Sequence, residues 1–492
     1  MRLSVLLQDF YSLPEQADRE ISRLTLDSRS VAKNSLFFAV KGSHLDGRQY
    51  IQDAIAKGAA AVLVDADADT LAFQADVPLI SLPHLQQKTG AIAARFYDYP
   101  SRKLRMIGMT GTSGKTSCSH FIAQSLQSLN IPCGIIGTLG SGFYGAVGEA
   151  GLTTPDAISL QAMLHDFADK GAKAVSMEVS SHSIDQGRIN GIDFEIGIFT
   201  NLSQDHLDYH GDMESYAAVK HRFIADFPIK NLIINADDRY GCLWINELAQ
   251  HKSILAYATQ KPAIPANIPL IYAERVATDL QGIKASIQSP FGGADILLPL
   301  AGKFNLSNGL AVLAALCAYG VAFKDAVDCL SRLQAVPGRM QMLGGGKQPL
   351  VVVDYAHKPD ALEKVLRALR THAEGRLWCV FGCGGERDRG KRPLMAKIAE
   401  QLADRIIVTN DNPRHENPEE IAAEILQGFT HPERISVELD RSKAIRNSIQ
   451  LAQAGDCVLI AGKGAEHYQQ IGDKKIPFDD VEKAREYLCC CG

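Results

Sequence analysis

Met109-Thr110-Gly111-Thr112-Ser113-Gly114-Lys115-Thr116-Ser117 stands between an apolar run at 104–107 and a helix-like segment at 118–129. The order is strand, glycine-rich turn, lysine, hydroxyl, helix. Such a turn is a phosphate cradle. Backbone N–H groups and the helix N-terminus face the anion, the lysine adds a point charge, and the hydroxyl after it can reach a bound Mg2+. The spacing departs from the strict P-loop, whose first glycine would fall at Met109. Gly108 comes one residue too early and Gly111 two too late. The strand before the turn and the helix after it still predict binding of a nucleoside triphosphate.

Working outward, short β-like runs alternate with longer helical ones, at 61–64, 104–107, 174–177, 232–234, 350–353, 377–381, 405–408 and 457–460. Alternation of this kind predicts an α/β fold, with parallel sheets and crossover helices. A length of 492 residues suits about three domains. Boundaries at Tyr99-Pro100-Ser101 and Val336-Pro337-Gly338 divide the chain into 1–100, 101–336 and 337–492. The stretch 261–300 has several prolines, the pair Gly292-Gly293 and alternating patterns. It reads as hairpin or edge strands of the middle domain.

An apolar fraction of 46% and a net charge of −5 belong to an ordinary globular protein and exclude a basic nucleic-acid surface. The apolar run at 5–7 is interrupted by Asp9 and is too short for a signal peptide. No apolar run approaches membrane-spanning length, so a cytoplasmic protein without membrane insertion is expected. The eleven cysteines are scattered, without finger spacing, and read as reduced thiols. Cys489-Cys490-Cys491 reads as a frayed end.

Polar clusters follow several of the strand-like runs. Glu178 opens Glu178-Val179-Ser180-Ser181-His182 after the run 174–177. A carboxylate at the C-terminal end of a parallel strand sits where α/β sheets bind ligands, and it suits Mg2+; the plain alternative is a capping or solvated acid. Ser203-Gln204-Asp205-His206-Leu207-Asp208-Tyr209-His210-Gly211 follows 196–199. Leu207 stands where a zinc protease needs glutamate, which excludes that reading. Gly382-Cys383-Gly384-Gly385-Glu386-Arg387 resembles a dinucleotide fingerprint, but Arg387 replaces the third glycine, so NAD is not expected. Asn410-Asp411-Asn412-Pro413-Arg414 is turn chemistry, functional only if Arg414 points into a site. The glycines of Ala461-Gly462-Lys463-Gly464-Ala465-Glu466 permit close backbone approach to a ligand.

These motifs, with Leu26-Asp27-Ser28-Arg29 and Tyr355-Ala356-His357, occur together and in order. Over essentially its whole length the chain resembles the Mur ligases, and within them the branch that adds meso-2,6-diaminopimelate to UDP-N-acetylmuramoyl-L-alanyl-D-glutamate in peptidoglycan synthesis. The resemblance implies a first domain for the UDP end of the substrate, a central P-loop-type ATPase domain and a Rossmann-like C-terminal domain. It implies an acyl phosphate made with ATP and attacked by the amine of the incoming amino acid. Gly111, Thr112, Ser113, Gly114, Lys115, Thr116, Ser117, Asn305, Asn308 and Arg339 would serve ATP. Thr116, Glu178 and His206 would place Mg2+, and Lys220 matches a lysine that the family carbamylates, a further metal ligand. Lys115, Glu178, His206 and Lys220 would then carry the catalysis. By its helical position alone, Lys220 is a surface lysine.

Leu26, Ser28, Ser43, His44 and Leu45 match contacts to the uridine end. Thr153, Thr154, Ser180, Gln186 and Arg188 match contacts to the muramoyl dipeptide. Arg387, Asp411, Asn412, Pro413, Arg414, Gly462 and Glu466 match the diaminopimelate pocket. Diaminopimelate is lysine with an extra carboxylate, which a guanidinium fork reads bidentately; lysine-adding relatives lack the arginine at 414. Two positions depart from the family pattern: Ser113 stands for a common asparagine and Ala465 for a common histidine. The implied partners are small molecules, with the chain as a monomer. A lysine-adding or folylpolyglutamate-type ligase and a non-catalytic nucleotide-binding regulator are the rival readings. The 411–414 motif and the segment 26–28 argue against the first, and the joint presence of Lys115, Glu178, His206 and Lys220 against the second.

Overall fold

The computed structural model describes residues 1–42, 45–148, 151–279 and 282–489. All eight β-like runs are strands. The run at 104–107 becomes Arg105–Thr110, so the strand delivers the chain directly into Gly111. The helix that follows is Lys115–Ser128, starting three residues earlier than the sequence pattern suggests. The chain divides into two compact units. One comprises Met1–Thr110, Leu126–Ile198 and Val219–Leu232; the other comprises Gly111–Ser125, Phe199–Ala218 and Ile233–Gly492.

The first unit holds a five-stranded sheet near the N-terminus. Its order is Arg23–Thr25, Ser35–Ala39, Ala59–Asp65, Val77–Leu82, Thr70–Gln74, and only the last pairing is antiparallel. Ser35–Ala39 is buried throughout, and apolar from Leu36 on, because both its faces are covered. Leu36 and Phe38 pack with Leu3, Leu6 and Ile92 on one face, and Phe37 packs with Ala54 and Val62 on the other. The same unit holds Arg105–Thr110 paired in parallel with Ala174–Glu178, which pairs in parallel with Cys133–Gly137. Met109 lies opposite Glu178 in that register.

The second unit carries two sheet regions. Ile254–Ala258 pairs in parallel with Leu270–Asp279, which continues as an antiparallel meander through Gly282–Ser289 and Gly292–Leu298. This is the hairpin region expected at 261–300. A six-stranded sheet follows in the order Gln341–Gly344, Leu350–Asp354, Cys457–Ala461, Leu377–Phe381, Arg405–Val408, Ser436–Val437. Its first pairing is antiparallel and the others are parallel. Because Cys457–Ala461 inserts between Leu350–Asp354 and Leu377–Phe381, the loops after Asp354, Phe381, Val408 and Ala461 gather at one edge. That crevice at the carboxyl ends of the strands is where such sheets bind ligands.

Nine cysteines of the described residues are free thiols, and six of them are buried, as expected for reduced cysteines. No helix among the described residues is long and apolar enough to cross a membrane.

Candidate phosphate turn and amino-acid pocket

The glycine turn is held open by main-chain and side-chain contacts within the second unit. Gly111 has φ +145°, and a Cβ there would overlap the Thr200 hydroxyl. Gly114 has φ +88°, and a Cβ there would crowd Asn308 Oδ1 at 2.6 Å. Thr112 N donates to Asn201 O at 2.8 Å, Ser113 N to Asn201 Oδ1 at 2.9 Å, and Thr200 Oγ1 to Ser113 O at 2.7 Å. The turn is therefore preset by its partners, and glycine is required where those partners lie closest.

Lys115 Nζ folds back to donate to Gly111 O at 2.7 Å and Thr112 O at 3.1 Å. Arg339 Nη2 donates to Thr116 Oγ1 at 3.1 Å, and its guanidinium lies 4.3 Å from the centre of the Tyr355 ring. Asn305 and Asn308 are buried polar residues on the mostly apolar helix Phe304–Tyr319. Asn305 Nδ2 donates to Ala301 O at 2.7 Å, and Asn308 Nδ2 to Asn305 Oδ1 at 3.0 Å. The structure thus brings the sequence-predicted ATP residues together around one turn.

Asp205 and His206 lie beside it. The Asp205 carboxylate is 2.6 Å from Lys358 Nζ and 2.8 Å from His206 Nε2. Burial opposes its ionisation, but Lys358 and His206 hold its carboxyl well below the usual range. Burial pulls the His206 pKa down against the pull of Asp205, and Lys358 and Lys115 add to the fall. His357 is depressed further, by burial first and then by Lys358 and Lys391.

The diaminopimelate-type residues cluster at the edge of the C-terminal sheet. Asp411, Asn412 and Pro413 are buried, and Arg414 is half-buried with φ +53°. Asn412 Nδ2 donates to Glu466 Oε2 at 2.8 Å. Lys463 Nζ bridges Asn412 Oδ1 at 3.0 Å and Glu466 Oε2 at 2.8 Å. A Cβ at Gly462 would lie 2.6 Å from Asp411 Oδ2, so the glycine permits this closeness. Arg414 Nη1 donates to Gly385 O at 2.6 Å. Burial lowers its pKa, and the neighbouring Arg387 lowers it further. Neither guanidinium has a carboxylate within ion-pairing distance among the described residues. Two cations close enough to disfavour each other invite an anion.

In the first unit, Glu178 accepts from Thr138 N at 2.8 Å and from Thr138 Oγ1 at 3.2 Å. Thr138 Oγ1 is 3.2 Å from Thr153 Oγ1, and Thr154 Oγ1 donates to Glu178 O at 2.8 Å. Arg188 Nη1 donates to Thr154 O at 2.9 Å, and its Nε to Gln186 Oε1 at 3.0 Å. Ser180 caps the short helix Ser181–Asp185. These dipeptide-type residues form one connected group. Lys220 corrects its helical reading: it is 1% exposed, a buried lysine and not a surface one. In the N-terminal sheet region Ser28 is buried, Leu26 is half-buried and Leu45 is exposed, while Ser43 and His44 lie outside the described residues.

Sequence reasoning passed over Lys358, Lys463 and Asn201. The first two follow strands that end at the ligand edge of the C-terminal sheet, a signal that was present. Asn201 holds the turn through both its carbonyl and its side-chain amide, across 88 residues of chain, which no local pattern displays.

Residues 20–97 match the Mur ligase family catalytic domain, 109–316 the Mur ligase middle domain, and 338–464 the Mur ligase glutamate ligase domain. The chain is 48% identical over 472 residues to a UDP-N-acetylmuramoyl-L-alanyl-D-glutamate–2,6-diaminopimelate ligase of Coxiella burnetii, with 96% of each chain covered. It is 48% identical over 475 residues to the enzyme of that name from Pseudomonas aeruginosa, again with 96% of each covered. A solved structure of such a ligase superposes with a TM-score of 0.71 at 37% identity, covering 100% of this chain and 99% of the other. A folylpolyglutamate synthase of Mycobacterium tuberculosis complexed with ADP shares the fold, with a TM-score of 0.64 at 20% identity over 77% of this chain and 92% of its own.

Proposed function

The chain belongs to the Mur ligase family, and on that footing we propose that it is the ATP-dependent ligase that joins meso-2,6-diaminopimelate to UDP-N-acetylmuramoyl-L-alanyl-D-glutamate. The three domains are 1–100 for the UDP substrate, 101–336 for ATP and 337–492 for the amino acid. The protein works in the cytoplasm, as a monomer, on small molecules.

The chemistry must overcome an unreactive carboxylate, which is anionic and has no usable leaving group. Transfer of the γ-phosphoryl group of ATP to the D-glutamyl γ-carboxylate makes an acyl phosphate and ADP. The amine of diaminopimelate attacks the acyl carbon, a tetrahedral intermediate forms, and phosphate departs. The glycine turn offers its N–H groups to the phosphate chain, and Lys115 swings from the Gly111 and Thr112 carbonyls to neutralise charge as it shifts. Arg339 approaches the same phosphates from the Thr116 side. Thr153, Thr154, Ser180, Gln186 and Arg188 orient the dipeptide, and Leu26, Ser28, Ser43, His44 and Leu45 hold the uridine end.

Thr116, Glu178, His206 and Lys220, the last as its carbamate, would hold Mg2+, which would neutralise phosphate charge. The donors fit an ion that arrives with the nucleotide. Burial lowers the His206 pKa, which favours the imidazole form that binds metal, and among the described residues no group of three His, Cys, Asp or Glu forms a resident cage. Mg2+ ordinarily keeps phosphate and water oxygens and needs only one or two protein ligands. The burial of Lys220 supports a shielded carbamate at that position.

The observation that carries the choice of amino acid is the pair Arg414 and Arg387, two neighbouring guanidiniums with no carboxylate within ion-pairing distance among the described residues, beside Asn412 and Glu466. They suit the far carboxylate of diaminopimelate, which lysine lacks, while Asp411 and Glu466 suit its ammonium group. The test is ATP-dependent product formation from the UDP-linked dipeptide, with diaminopimelate and L-lysine compared side by side. Equal use of lysine, or no amide with either, overturns the proposal.

A further inference from the structure

A second ammonium group reaches the phosphate turn. Lys358 follows the strand Leu350–Asp354 and is the extended cap residue before the helix Pro359–Arg370. It is only 8% exposed. A buried lysine is costly unless anionic groups meet its charge. What meets it here is shared with others. Its ion-pair partner is Asp205 at 2.6 Å, and the same Asp205 oxygen lies 2.8 Å from His206 Nε2. Its second acceptor is Thr112 O at 3.3 Å, which also accepts from Lys115 Nζ at 3.1 Å. Arg339 donates to Thr116 Oγ1 at 3.1 Å from another direction. Between them, Lys358 and Arg339 have one ion pair among the described residues, the one to Asp205. Three cationic side chains therefore reach one glycine turn, and beyond the single carboxylate of Asp205 the acceptors of Lys358 and Arg339 there are a carbonyl and a hydroxyl oxygen. A phosphate chain is the ligand that relieves such a surplus.

We propose that Lys358 is a second phosphate-binding lysine of this site, contacting the terminal phosphoryl group beside Lys115. The shared Thr112 carbonyl supports the placement, since the lysine of such a turn serves the β/γ end of the nucleotide. On binding, the ammonium leaves the Thr112 carbonyl for a phosphate oxygen and keeps Asp205 as its counter-charge. It would continue to neutralise the phosphate after transfer to the acyl group. The inference rests on the reading of the chain as an ATP-dependent ligase.

The test measures equilibrium binding of AMP-PNP, ADP and AMP, with Mg2+, to the full chain and to Lys358→Met, Lys358→Thr and Lys358→Arg. Melting curves accompany each variant, and Lys358→Thr leaves Asp205 a hydroxyl donor should the methionine variant fail to fold. Removing one charge-assisted contact should weaken AMP-PNP about 10-fold or more, ADP by less, and AMP not at all. The KM for ATP should rise with a smaller change in kcat, and arginine should restore most of the affinity. Unchanged AMP-PNP affinity in a folded variant would show Lys358 to be a structural partner of Asp205 and overturn the proposal; so would an equal loss for all three nucleotides. If the unaltered chain binds no adenine nucleotide, the ligase reading falls first and this inference with it.

Discussion

The phosphate turn at 111–117 and the pocket built from 411–414 and 462–466 both follow strands, yet they differ in how far main-chain groups receive their cations. At the turn, Lys115, Lys358 and Arg339 donate to the Gly111 and Thr112 carbonyls and the Thr116 hydroxyl. In the pocket, Arg414 donates to the Gly385 carbonyl, but the rest of the network is side chain to side chain: Lys463 bridges Asn412 and Glu466, and Asn412 donates to Glu466. Main-chain groups recognise what all nucleoside triphosphates share and tolerate changes such as Ser113. On the proposed function, a side-chain network recognises one amino acid and depends on each member. Generic binding is thus written into the backbone, and selectivity into particular side chains.

The sharpest way to break this comparison is Arg414→Ala. It should cost about 2–5 kcal/mol in diaminopimelate binding, roughly 30-fold to several thousand-fold, and leave ATP affinity unchanged. Steady-state KM and kcat for both substrates decide it; an unchanged diaminopimelate profile removes Arg414 from the pocket. Lys115→Ala should act on the other side, lowering kcat by about 10²–10³-fold, or ~3–4 kcal/mol, with little effect on the affinity for diaminopimelate. Single-turnover ADP formation would show whether phosphoryl transfer is the step that slows.

A smaller effect concerns proton linkage beside the turn. The folded-state pKa of His357 lies well below its ordinary value. Its stabilising contribution is therefore full above about pH 6.5 and is lost as pH falls, because the unfolded chain takes up a proton that the folded one refuses. Melting curves from pH 7.5 to 5.0 should show a slope of at most about 1.4 kcal/mol per pH unit from this group, and His357→Gln should flatten it. A variant as pH-sensitive as the parent would remove His357 as the source. The smallest effect is expected from Ala465→His, which restores the family's usual residue at the rim of the pocket. Diaminopimelate affinity should change by no more than about 0.5 kcal/mol, since Gly462, Lys463 and Glu466 already complete the network; a larger gain, read from KM, would give the missing imidazole a role.

Much was legible without coordinates. The runs 377–381 and 405–408 are strands with those bounds; the first is five consecutive apolar residues, which between turn signals are buried on both faces in a sheet interior. The antiparallel meander after 261 was visible in its glycines and alternation. The helix start at Lys115 was placed three residues late, because the turn's own polar residues carry no periodicity. Lys220 was misread: its neighbours in sequence look like a solvated helix face, and only packing puts its side chain out of reach of water.

The order of strand, glycine turn, lysine and helix determined the α/β fold and the phosphate chemistry, since both follow from backbone geometry and local residue types within a few positions. The tertiary structure alone decided which charges meet. Thr112 and Lys358 are 246 residues apart, and Asn412 and Glu466 are 54 apart. Contacts of such separation depend on sheet order, here on Cys457–Ala461 entering between Leu350–Asp354 and Leu377–Phe381, and no periodicity along the chain encodes that choice.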